Sequence, residues 1–106
     1  MTTEQSYGQQ AMGRDARKLA ELTDVVLFGD IWERPELSKR ERSIVTVSAL
    51  VAMYRLEQLP FHLNRALENG VAKEELVEII THLAFYSGWP TAASAIKQLN
   101  AMTSHD

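Results

Sequence analysis

Proton transfer near neutral pH calls first for histidine, and this chain has three, His62, His82 and His105. His105 lies in the polar C-terminal tail, where nothing defines its setting. His62 and His82 match no helical metal motif such as two histidines at i, i+4, so no metal centre is expected. Both have a helical neighbour with chemistry to offer. Glu78 and His82 stand at i, i+4 and share one face of the helix that carries them, as an acid/base dyad or as a plain surface pair. His62 lies on an apolar stripe between Leu59 and Leu63, with Arg65 three positions on. It reads either as a hydrogen-bonded core residue or as a proton-transfer group beside a cation. Trp32, Tyr86 and Trp89 each sit close to a Gly or Pro and read as staples of loops onto the core or as subunit contacts.

Composition removes several other chemistries. With no cysteine in 106 residues, disulfides, thiolate metal sites, iron–sulfur clusters and thiol-based redox catalysis by the chain itself are excluded. The net charge is −3, and the one basic cluster, Lys39-Arg40-Glu41-Arg42, is short and interrupted, so a nucleic-acid partner is not expected. The opening MTTEQSYGQQ has no apolar segment like a signal peptide. The longest apolar stretch is far short of a membrane span. The expectation is a cytoplasmic protein with no membrane partner. A hydrophobic fraction of 45% in a chain of this length supports one domain over 1–106 with a real core and is too little chain for two.

The elements that must position these residues read as all-α, with five to six helices. Residues 1–22 form a polar N-terminal arm whose amphipathic helix is interrupted at Gly8 and Gly13. Thr23 to Glu36 is a connecting segment, broken by Gly29 and Pro35, with one short helix around Val25 to Phe28. Ser38 and Glu41 make a capping box that opens a helix. The run from Ile44 to Tyr54 is apolar or small on every face; its β-branched residues allow a buried strand, but the cap and the length favour a buried central helix. Leu59, His62, Leu63, Ala66 and Leu67 form the stripe of the next helix, with Pro60 in its first turn and Asn69-Gly70 as its stop. From Lys73 to Tyr86, Leu76, Val77, Ile79, Ile80, Leu83 and Ala84 make a second broad apolar face. Ser87-Gly88 ends that helix, and Pro90 opens a last one that runs to about Met102.

The order Phe28-Gly-Asp-Ile-Trp32, Arg34-Pro35, Leu37, Arg42-Ser43, His62, Arg65-Ala66, Asn69-Gly70-Val71, Glu78, Tyr86, Gly88 and Pro90 resembles the carboxymuconolactone decarboxylase family, within the alkylhydroperoxidase D-like fold. The resemblance covers about two-thirds of the chain, from about Phe28 to Ala95. It implies an α-helical subunit that assembles into a homo-oligomer, a trimer or hexamer, with pockets near the subunit contacts. The family's peroxidase branch uses a Cys-x-x-Cys pair, a histidine four residues after the second cysteine, and an earlier glutamate. Counting back from His62 puts those cysteines on Arg55 and Gln58 and the glutamate close to Ser43, so thiol peroxidase activity is not expected.

The decarboxylase branch acts without a cofactor on γ-carboxymuconolactone, in the breakdown of aromatic compounds. The unsaturated lactone accepts the electrons that the departing carboxylate leaves behind, so the protein need supply only carboxylate binding, a donor for the enolate oxygen and a proton. The resemblance implies a small carboxylate or lactone as substrate. The candidate catalytic residues are His62, Glu78 and His82; Arg42 and Arg65 are the carboxylate clamps, with Trp32, Tyr86 and Trp89 as further substrate-binding candidates. Ser87 and Trp89 depart from the usual residues of the turn, which keeps open a related lyase or isomerase on another carboxylated lactone, or an oligomeric accessory protein without activity.

Overall fold

Ser38 opens the longest stretch of regular structure, and it does so through both halves of its capping box: its Oγ accepts from the Glu41 amide at 3.0 Å, and its own amide donates to Glu41 Oε1 at 2.8 Å. In the computed structural model, which describes residues 7–103, every regular element is helical and no strand occurs among the described residues. No helix there is long and apolar enough to cross a membrane. The chain divides into two compact units, residues 1–37 and residues 38–106.

The first unit carries α1 (Tyr7–Met12) and α2 (Arg17–Glu21), which continues into a wide-turned π-helical segment (Leu22–Phe28), followed by a single 3-10 turn (Ile31–Glu33). Of the two glycines expected to interrupt the arm, only Gly13 lies at a break. Gly8 is inside α1, and its amide donates to Asp24 Oδ1 at 2.9 Å. A Cβ there would stand 2.6 Å from both Ala20 O and Asp24 Oδ1, so the approach of α1 to the following helix needs glycine. The short helix expected around Val25 to Phe28 lies within the longer π-helical segment, and the 3-10 turn adds regular structure beyond Gly29. Trp32 is buried, its ring 5.9 Å from that of Phe28. The first six residues of the arm, and His105, lie outside the described residues.

The second unit holds α3 (Lys39–Ala52), α4 (Leu59–Glu68), α5 (Lys73–Ser87) and α6 (Trp89–Thr103). Its core is built from Val47 and Val51 of α3, Leu59, Leu63 and Ala66 of α4, Leu76 and Ile80 of α5, and Ala95 and Leu99 of α6, all essentially inaccessible. Helix α3 is not buried all round, as its composition had indicated: Val45 is 60% exposed, and only the face of Ser43, Val47 and Val51 turns inward. Burial on one face is what a four-helix layer gives a helix at its side, whatever the helix is made of. Beyond α3, Tyr54 adopts φ +60, and its hydroxyl lies 3.3 Å from Ser94 Oγ on α6. Gln98 Nε2 donates to Leu56 O at 3.1 Å, so two side-chain bonds tie the α3–α4 connection to α6. Gly70 (φ +96) makes the left-handed turn after α4, and Gly88, at positive φ (+103), ends α5, both where the sequence predicts a stop.

Candidate functional site

His62 reaches its position because α4 buries Leu59, His62, Leu63 and Ala66 as one stripe. The residue is 9% exposed. Burial first, and the Arg65 charge second, pull its imidazole from the ordinary 6.5 down to about 4. It is therefore neutral at pH 7, able to accept a proton or to donate an N–H hydrogen bond. Arg65 lies one turn on, its Nε 3.4 Å from Glu68 Oε1 and its guanidinium carbon 5.0 Å from the centroid of the Phe61 ring. Phe61 meets His62 edge-on, with centroids 4.9 Å apart. Ser43, close to where the peroxidase branch has its glutamate, is fully buried and accepts from Asn69 Nδ2 at 3.0 Å. Arg42 is half-buried on α3.

Glu78 and His82 come together elsewhere. With Arg40, Ile44, Ser48, Glu75, Ile79 and Leu83 they line a groove between α3 and α5 of about 480 Å³. Within that lining Arg40 pairs with Glu75, and it donates through Nε to Gly70 O at 3.3 Å. The Ala72 amide, above all, and then Arg40 hold the Glu75 carboxyl below its ordinary range. Glu78 and His82 are both exposed, and the His82 ring lies 5.0 Å from Tyr86. Trp89, 63% exposed, packs edge-on against Phe85 at 5.1 Å, and both border a shallow apolar hollow between α5 and α6.

The candidates thus fall into separate sets. The groove's lining includes Glu78 and His82 but not His62, Arg42 or Arg65, while Trp32 belongs to the first unit and is buried there. Sequence reasoning passed over Phe61, although its i, i+4 relation to Arg65 was a legible signal. It also passed over Arg40, for which there was no signal, because its partner Glu75 is 35 positions away. No group of three or more His, Asp or Glu side chains placed to hold a metal occurs among the described residues.

Comparison with known proteins bears on these sets. A family model described as "Carboxymuconolactone decarboxylase family" matches residues 17–101. A "4-carboxymuconolactone decarboxylase" of Acinetobacter baylyi is 41% identical over 69 residues, which are 65% of this chain and 52% of that protein. A "nitrosuccinic acid decarboxylase" of Metarhizium robertsii is 32% identical over 69 residues, 65% of this chain and 48% of that one. The chain spans about half the length of these relatives.

Proposed function

The chain belongs to the carboxymuconolactone decarboxylase family, and from that premise we propose that it is a cofactor-free carboxy-lyase acting on a small carboxylated lactone, γ-carboxymuconolactone or a close analogue. The observation that carries this reading is the neutral, buried imidazole of His62 with a guanidinium one helical turn away. Both relatives are named for substrates that join a carboxylate to an electron-withdrawing group, a lactone in one and a nitro group in the other. In such a molecule the bond to the carboxylate breaks, carbon dioxide leaves, and the electron pair is spread onto the withdrawing group until carbon takes up a proton. Arg65 holds a carboxylate of the substrate, with Arg42 as a second clamp. The His62 N–H stabilises the developing enolate oxygen, and the imidazole, taking up a proton from solvent water on its other nitrogen, passes its N–H proton to carbon and is neutral again.

A second reading has an observation of its own. Glu78 and His82 share the groove with Arg40, and a carboxylate–imidazole pair in a cavity is an acid/base dyad in form. The test is carbon dioxide release from γ-carboxymuconolactone, then from other small carboxylated lactones. His62→Ala should keep its helical circular dichroism and lose about two to four orders of magnitude in turnover, while Glu78→Gln stays close to the parent. A His62→Ala protein as fast as the parent overturns the first reading; loss confined to Glu78→Gln moves the chemistry to the groove.

A further inference from the structure

If Arg65 is to hold a carboxylate while His62 handles the proton, the two groups need a fixed separation, and a long arginine side chain does not keep one unaided. Glu68, whose Oε1 lies 3.4 Å from Arg65 Nε, is 60% exposed and offers the guanidinium a partner at the solvent edge. Phe61 stands against that alternative. Its ring faces the Arg65 guanidinium carbon at 5.0 Å from the centroid. The same ring meets the His62 imidazole at 88° with centroids 4.9 Å apart. The negative face and positive edge of a phenyl ring favour both arrangements. The i, i+4 relation on α4 brings the guanidinium over the ring, whereas the ring's contact with His62 joins neighbours in sequence.

We propose that Phe61 is a positioning residue, whose ring holds the Arg65 guanidinium and the His62 imidazole in one arrangement so that a carboxylate bound by the first lies within reach of the second. The proposal rests on the reading of His62 and Arg65 given above. Phe61 does not itself take part in the reaction. Its contribution is to the geometry, and it should be carried by the aromatic ring rather than by the side chain's volume.

Phe61→Leu keeps an apolar side chain and removes the ring, whereas Phe61→Tyr keeps the ring. In substrate-free protein, nuclear magnetic resonance follows the Arg65 side-chain Nε–H and the His62 ring protons. Phe61→Leu should shift the Arg65 signal as the ring current is lost, and should raise the His62 titration midpoint from about 4 as the guanidinium moves off. Phe61→Tyr should restore both. With a substrate that is turned over, KM should rise roughly two- to fivefold in Phe61→Leu, the range of a half-exposed cation–π contact, and return in Phe61→Tyr. If Phe61→Leu lowers only the melting temperature and leaves both signals in place, or if Phe61→Tyr fails to restore them, the proposal is wrong. If the signals move as expected and no carboxylated lactone is turned over, Phe61 still positions the pair, and it is the decarboxylase reading that fails.

Discussion

Acidification tests the burial of His62 without altering an atom of the chain. The imidazole has its ordinary 6.5 in the unfolded chain and about 4 in the folded one, so between those values the unfolded state binds the extra proton. The associated stability is complete above about pH 6.5 and is lost as the pH falls toward 4. At about 1.4 kcal/mol per pH unit, the interval from 6.5 to about 4 amounts to at most about 3–4 kcal/mol. That is a large part of the roughly 5–15 kcal/mol that holds an ordinary domain together. Two carboxylates act in a lower window. Glu41 is held below its ordinary range by the Ser38 amide first, and Glu75 by the Ala72 amide first. Both therefore add stability that is present above about pH 4.5 and is lost below it. Urea unfolding followed by circular dichroism, at fixed protein concentration and in steps from about pH 7 to about 4.5, isolates the histidine. The parent should weaken steadily over that range, while His62→Gln, neutral throughout, should be nearly flat. Parallel curves for the two proteins would show that His62 is not held neutral by burial, and the reasoning about its chemistry would go with it.

Three further outcomes follow from other parts of the molecule. Ser38→Ala removes the acceptor of the Glu41 amide and should lower stability by about 1 kcal/mol in urea unfolding. Trp89, with Phe85 beside it, is exposed in the single chain and should lie in a homo-oligomeric contact: sedimentation at micromolar concentration should show a trimer or hexamer, and Trp89→Ser a smaller species, whereas a monomeric parent would sink the idea. Metal-free protein should reduce alkyl hydroperoxides no faster than a denatured control, because it has no thiolate to attack them.

What could be read from the sequence was what local rules control. The Ser38 cap, the α4 stripe, the stop at Gly70 and the break at Gly88 each depend on residues within one or two turns of one another, and each stands where the pattern put it. The faces of α3 were not legible, because Val45 and Val47 are alike in type and only the position of neighbouring helices decides which is covered. For the same reason the site candidates could be named but not grouped. Glu78 and His82 share a face by spacing alone, yet Arg40 joins them through a partner 35 positions distant. The short helix around Val25 to Phe28 was legible, but its π-helical turns and its extension back to Leu22 had no local signature.

The charge of the substrate separates the two polar sets more sharply than their shapes do. In the groove the one guanidinium, Arg40, is already matched by Glu75, and Glu78 adds a further negative charge; a molecule that carries a carboxylate meets a partner already taken and a repulsion. On α4, a guanidinium stands beside an imidazole kept uncharged by its surroundings, and the carboxylate seen against it, Glu68, is exposed, so that a bound carboxylate can replace it. The neutrality of His62 then takes on a second meaning. Part of what keeps it neutral is the Arg65 charge, and a carboxylate lodged against Arg65 cancels that part while adding a negative charge of its own. Binding of the substrate on this reading would draw His62 toward the protonated form by the Arg65 part alone, while burial, the larger cause, continues to favour the neutral ring.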